Sequence, residues 1–366
     1  MKNDFKDGTL IFYLEGRIDS SNADRFEAEL VDENMLFDTV DVAFDAEKLD
    51  YISSAGLRVL LKIKKTAKST IRILNVSDEI FDIFDVTGFS GFFEIERKMR
   101  QISLKGCSKI SSALNGEIYR LSDDEMVKVF GNSVPMSDIK KERSYAQTAL
   151  AFDIPTLIPY DIVQCELGYG IVYEIAEMTS LSYLLSKNPQ KCRQYAAMLA
   201  VMVSEIHNTE IPEGKLPDIK DRYREWINEI DDPNDSKLNV FSNLISSIQD
   251  SPTYVHGDIN LNSVLVKGNE MLLLDMSGSG RGHAIFDLQA LFASCVAIER
   301  KKPGYCQNTY GLSGDICLEF WTAFFDTYMG HRTTQIASMN ELLLKYFVLK
   351  ESILTKLEEK HRLSTK

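Results

Sequence analysis

The chain has 366 residues, 44% of them hydrophobic and 26% charged, which suits two or three domains with sizeable cores. Its formal net charge of -13 is spread along the chain, with 20 acidic and 14 basic side chains in residues 1–100 and 34 and 27 in the rest. A general nucleic-acid binder, or a protein held to an anionic membrane, needs a basic face, so neither partner is expected. The six cysteines (Cys107, Cys165, Cys192, Cys295, Cys306, Cys317) form no CxxC pair and have no histidine at metal-ligand spacing, as in a cytosolic protein with reduced thiols. The opening "MKNDFKDGTLIFYLEG" lacks an apolar stretch of signal-peptide length, and no segment approaches the ~18 uninterrupted apolar residues of a membrane span. A cytoplasmic location is therefore expected.

In chain order, "TLIFYLEG" predicts a strand ending at Gly16, "SNADRFEAELV" an amphipathic helix, and "TVDVAFD" a strand that alternates Val40, Val42 and Phe44 on one face. "YISSAGLRVLLKIKKTAK" passes from strand to helix, "IRILNV" is a buried strand, and "SDEIFDIFDVTGF" is another helix. Strands alternating with helices give a small α/β layer with partly parallel pairing. At Ser53-Ser54-Ala55-Gly56-Leu57 a serine stands at the mouth of a helix, where it can cap free N–H groups. A phosphate there would meet the same donors and the helix dipole. Capping accounts for one of the two serines.

The stretches "LEGRIDSSNADRFEAEL", "LDYISSAGLRVLL" and "IFDVTGF" resemble the three signatures of the STAS domain, the fold of bacterial anti-sigma factor antagonists. The resemblance implies that Ser54, two residues before the helix-opening Gly56, is a phospho-acceptor, with Asp19 nearby. Ser53 stands where the family usually has Asp. As alternatives the layer is a docking module for an anti-sigma-type or other regulatory protein, or a homodimerisation surface.

"EIERKMRQISLKG" separates two patterns, which gives residues 1–100 as the STAS-like domain, 101–178 as a small lobe and 179–366 as a large one. "SSALNGEIYRL" and "EMVKVF" are strands joined by a turn at "SDDE". Lys128 interrupts the second strand, with Val127 and Val129 on the opposite face. The helix "SDIKKERSYAQTALAF" is predicted to open with Ser137 as cap. Glu142 shares its inward face with Tyr145, Ala146 and Ala149, so it needs a cation, and Lys128 is the nearest candidate. "GIVYEIAEMTSLSYLL" gives a buried strand, a crossing segment and a helix start; in a nucleotide-binding fold, backbone groups of Glu174, Ala176 and Glu177 could there meet an adenine edge.

His256-Gly257-Asp258 leads into "SVLV", a "KGNE" turn and "MLLLD", a hairpin that returns Asp275 to the mouth of the same loop. Phosphoryl transfer needs one carboxylate to orient an acceptor hydroxyl and another to hold Mg²⁺ against phosphates.

With "GRGHAIFDLQAL" added, residues 107 to 300 resemble the aminoglycoside phosphotransferase and choline kinase group, small-molecule relatives of protein kinases. The implied fold is a bilobal α+β protein-kinase-like domain that comes after the α/β STAS-type layer. The resemblance implies ATP (or GTP) and Mg²⁺ as cofactors and a small hydroxylated acceptor. Lys128 would contact phosphates with Glu142 as its partner, Asp258 would be the catalytic base, and Asp275 would hold Mg²⁺. His256 and Asp287 would support the loop, with His207 structural. Two departures stand out. Ser263 replaces the family's metal-binding Asn and is assigned in its place, while Asn262, one position early, would face away on a strand. "ISSALNG" keeps only Gly116 where relatives have glycines at Ser111 and Ala113 as well. The expected function is ATP- and Mg-dependent phosphotransfer to an alcohol, regulated or targeted by the STAS layer. The alternative is a non-catalytic pseudokinase that acts by protein contact. Residues 210–237 are acidic and would draw a cationic acceptor such as an amino sugar or choline, unless they form a solvated helical face.

Overall fold

A parallel strand pair needs a long crossover, usually a helix, and the first unit, Met1–Gln101, is built from three of them. The computed structural model describes residues 1–6, 8–31, 41–66, 71–113, 116–174, 178–230, 232, 234–330 and 336–364. Five strands, β1 (Asn3–Lys6), β2 (Thr9–Ile18), β3 (Asp41–Ile52), β4 (Ile71–Val76) and β5 (Glu94–Arg97), lie side by side in that order. The first pair is antiparallel and the other three are parallel. Helices α1 (Ala23–Val31), α2 (Ser54–Thr66) and α3 (Asp78–Val86) make the crossovers. Phe12, Phe44, Leu60, Ile73 and Phe84 are buried in a shared core.

Two strand expectations need correction. β2 runs past Gly16 to Ile18, with shifts of register on both sides of Glu15 and Gly16 that bend the strand without ending it. In β3, Ala43 is buried as completely as Val42 and Phe44, so both faces are covered, as parallel sheets require. Val40 lies outside the described residues.

In the second unit, Ile102–Lys366, five strands form an antiparallel sheet in the order Pro159–Cys165, Gly168–Glu174, Glu125–Phe130, Gly116–Arg120, Ser108–Ala113. The stretch "SSALNGEIYRL" is thus two strands of a hairpin, not one, with residues 114 and 115 outside the described set. The alternation in Glu125–Phe130 buries Val127 and Val129 with Val163 and Val172 on one face and sends Lys128 to the other. The helix Met136–Ala151 comes next, and it starts one residue before the expected cap. Pro135, with φ -62° and ψ 146°, occupies the N-cap position and Ser137 is already helical. Proline brings a preset φ to a helix start and loses no needed donor there, so no serine cap is required.

Beyond Glu174 the unit is mainly helical, ending in Ile336–Ser364. Short strands Val264–Lys267 and Glu270–Leu273 form the expected hairpin. One apolar core continues from Ile118 and Met126 of the sheet to Phe347 and Leu357 of the last helix. Among the described residues no helix is long and apolar enough to cross a membrane.

Candidate active site

In the second unit, side chains from stretches as far apart in sequence as Ile118 and Leu354 meet at one cavity of about 680 Å³. Lys128 reaches Glu142 Oε1 at 2.7 Å and Asp275 Oδ1 at 3.1 Å. Lys128 is 4% exposed and Glu142 2%, so both charges have left water and depend on each other. Burial pushes the Glu142 carboxyl up to about 7, against the pull of Lys128. The Tyr173 hydroxyl, at the same oxygen of Glu142, is pushed well above its ordinary value by burial.

The hairpin carries Asp275 back beside the loop that begins at His256. Asp275 sits at φ 64°, a backbone region uncommon outside glycine, and such residues cluster at functional sites. Its Oδ1 accepts from the Ser277 hydroxyl at 2.8 Å. Burial alone would raise the Asp275 carboxyl, but Lys128 and Ser277 outweigh it and hold the value below the ordinary range. Asp258 lines the same cavity, and enclosure in the cleft raises its carboxyl despite the positive charge of Lys350. A raised carboxylate is a better proton acceptor.

The loop is braced from behind. Asp287, 1% exposed, accepts from His256 N–H at 2.8 Å, from Gly257 N–H at 2.5 Å and from His207 Nε2 at 3.1 Å. His207 Nδ1 meets the Tyr328 hydroxyl at 2.9 Å, which places this histidine in a structural relay away from the cavity lining. Burial would raise Asp287, but the His207 bond and the backbone donors hold it below the ordinary range. His256 Nε2 donates to Leu274 O at 2.8 Å while Nδ1 accepts from Asp258 N–H, which ties the two halves of the site together. Gly257 has φ 82°, and a Cβ there would stand 2.3 Å from Gly278 O, so only glycine fits the turn.

Several assignments change. The Ser263 hydroxyl lines the cavity, where it accepts from Asn260 N–H at 2.9 Å and lies 3.1 Å from Asn260 O, so its loop already occupies part of its bonding capacity. Asn262 lies in a turn, because the strand begins only at Val264; its Oδ1 accepts from Ser182 and its amide faces Thr309 O. Glu174 N–H is bonded to Ile158 O at 3.1 Å and its carboxylate to Ile158 N–H, so that N–H is not free for an adenine. Ala176 and Glu177 lie outside the described residues. Gly116 is placed by the sheet: a Cβ there would fall 2.1 Å from Val129 O, and it does not line the cavity. No described residue of 210–237 lines it either. Tyr173, Gln289 and Lys350 do, and the sequence pattern marked none of them.

In the first unit, Ser53 is the cap: its Oγ accepts from Ala55 N–H at 3.2 Å. Ser54 is the first residue of α2 and exposed. Asp19 is next to Ile18, whose carbonyl accepts from Ser53 N–H, and its own carboxylate binds Ser21, whose hydrogen bonds hold it below the ordinary range.

The STAS domain model matches residues 1–102. The chain is 35% identical over 97 residues to BtrV, a candidate anti-sigma factor antagonist of Bordetella bronchiseptica, covering 24% of this chain and 78% of that protein. It is similar to the solved structure of a choline/ethanolamine kinase family protein from Mesorhizobium loti, at 12% identity over 71% of this chain and 81% of that one, with a TM-score of 0.47. The streptomycin–ATP–APH(2'')-IIa ternary complex is similar at 14% identity, over 68% and 84% of the two chains, with a TM-score of 0.44. Through residues 1–102 the chain belongs to the STAS domain family, and its second unit is structurally similar to choline kinases and aminoglycoside phosphotransferases.

Proposed function

We propose that the second unit is an ATP- and Mg²⁺-dependent phosphotransferase acting on the hydroxyl of a small acceptor, with the STAS domain as a regulatory or docking module. The observation that carries this reading is the convergence of Asp258 and Asp275 on one cavity beside the Lys128–Glu142 pair. Asp258 orients the acceptor and takes its hydroxyl proton. The acceptor oxygen forms a bond to the γ-phosphorus of ATP, the bond from that phosphorus to its bridging oxygen breaks, and ADP leaves. Lys128 offers its ammonium to the phosphates while Glu142 holds it in place.

The donor set fits Mg²⁺ brought in by a nucleotide. Mg²⁺ is commonly bound through one or two carboxylates, with phosphates and water completing its shell. Asp275 offers one carboxylate, and both of its hydrogen-bonding contacts among the described residues fall on Oδ1. No described group of three or more acidic, His or Cys side chains makes a free-standing site. When bound, the ion would neutralise charge developing on the phosphates.

A second reading, a protein-contact regulator without catalysis, draws on the Ser263 hydroxyl being bound within its loop. Measuring ADP formation across a panel of hydroxyl acceptors separates the two. Turnover that disappears in Asp258→Asn while ATP still binds supports the enzyme. No turnover with any acceptor, or turnover unchanged in Asp258→Asn, removes it.

For the first unit, the exposed Ser54 supports a phosphorylation switch that adds negative charge at the mouth of α2 and alters a partner surface. A regulatory protein or a second copy of the chain are the partners this surface would read.

A further inference from the structure

The helical wall of the cavity differs in charge from what an amino-sugar acceptor needs. It is built by Ile285–Phe292, a π-helical turn over Ala293–Ala297 and the C-terminal helix Ile336–Ser364. π turns are rare and concentrate at functional sites; here Ala293 and Ser294 bring small side chains to the cavity. From the last helix come Phe347, Lys350, Glu351 and Leu354, whose spacing puts them on one face.

Three lysines and three carboxylates line the cavity: Lys128, Lys302 and Lys350 against Asp258, Asp275 and Glu351. Most are already committed. Lys128 pairs with Glu142 and Asp275, and Glu351 takes Lys301 at 2.6 Å. Lys302 and Lys350 have no carboxylate within 4 Å among the described residues. Lys350 Nζ donates to Gln289 Oε1 at 3.3 Å, a neutral amide that is 1% exposed, and stands 5.8 Å from the Tyr223 ring. Its charge acts on the Asp258 carboxyl. A half-buried ammonium whose hydrogen-bond acceptor is a neutral amide, with the Asp258 carboxylate acting only from beyond 4 Å, is incompletely compensated and would gain from an anion in contact with it. A cationic acceptor at Asp258 would instead meet this charge.

We propose that the acceptor is an anionic alcohol, a carboxylate or phosphate ester with a free hydroxyl on a small apolar body, and that Lys350 holds its anionic group while the hydroxyl faces Asp258. Ala290, Ala293, Phe347 and Leu354 would cover the apolar part. The hydroxyl oxygen takes the γ-phosphoryl group of ATP and Asp258 its proton, so the proposal rests on the phosphotransfer reading.

The test uses the full chain with Mg²⁺ and a non-hydrolysable ATP analogue, and tracks the thermal midpoint as gluconate, glycerol phosphate or glucosamine is added to ~10 mM. At least one anion should raise the midpoint beyond the nucleotide's own effect, and which of the two does so separates carboxylate from phosphate. Glucosamine should not. Lys350→Ala should weaken the anion's binding by about tenfold or more while the nucleotide's shift is retained, and Lys350→Arg should preserve it. A shift from glucosamine in place of the anions, no shift from either anion, or an anion shift that survives Lys350→Ala overturns the proposal and leaves the phosphotransfer reading standing. A wild-type chain that the nucleotide itself fails to stabilise brings down that reading, and this proposal with it.

Discussion

At the mouth of α2, Ser54 is held by its immediate surroundings: Ser53 caps the helix and bonds to Ile18 O, and Ser54 itself stays exposed. The loop from His256 to Ser263 is fixed from far along the chain, by Asp287, by His207 behind it and by Leu274 of the returning hairpin. An exposed group can change its charge without disturbing its support, which suits a switch. Buried polar groups that satisfy one another cannot be exchanged singly, because each loss strands a partner without water. That rigidity suits a site that must hold two carboxylates at fixed positions for chemistry.

The contrast sets an order of expected effects. Asp287→Ala strands three buried donors and should cost about 3–5 kcal/mol in denaturant unfolding, since each donor left without an acceptor costs about 1–3 kcal/mol. A loss within the range of a surface substitution would mean the loop does not depend on it. Ser263→Ala comes next, at about 1–3 kcal/mol, since Asn260 N–H loses its acceptor in a partly buried loop. Its Mg²⁺ dependence for ATP binding should be unchanged; a variant that kept its stability and lost Mg²⁺ dependence would restore the serine as a metal ligand.

For Glu142 the expectation is a pH effect. Its carboxyl is raised from 4.5 to about 7, so below about 7 it takes up a proton and ceases to be the ionic partner of Lys128. ATP affinity should therefore fall as pH drops through 7, and Glu142→Gln should flatten that profile. The stability term has the opposite sense: the folded chain binds the extra proton, so this group favours folding most below 4.5 and the benefit is lost as pH rises through 7. An ATP profile that is unaltered in Glu142→Gln would assign the pH dependence elsewhere. The smallest effect is at α2. Ser54→Ala should change stability by no more than about 0.5 kcal/mol, against about 1 kcal/mol for Ser53→Ala at the cap. Equal losses in thermal unfolding would show that the two serines share the capping.

The same division separates the residues legible in the sequence from those that were not. Lys128 stood out because strand alternation leaves no apolar reason for a lysine between Val127 and Val129, and Glu142 because helical spacing turned it inward. Asp275 was found through the hairpin, whose turn is local. Lys350 gave no such signal: it joins Asp258 only through the packing of the last helix, and no short spacing connects them. The bonds of the Ser263 hydroxyl to Asn260 carry no sequence signal, because they depend on the path of the loop and not on its distance from Asp258 in sequence. Ser137 failed for a nearer reason, since Pro135 starts the helix without a side-chain cap.

The proposed phosphotransfer requires Asp275 and Lys128 to hold a magnesium nucleotide in this cavity. Calorimetric titration of ATP into the wild-type chain and into Asp275→Ala, each with and without Mg²⁺, tests it most directly. Mg²⁺ should strengthen ATP binding in the wild type, and this gain should be lost in Asp275→Ala, because the ion's protein carboxylate is gone. Equal Mg²⁺-dependent affinity in both proteins, or no ATP binding to the wild type, would contradict it.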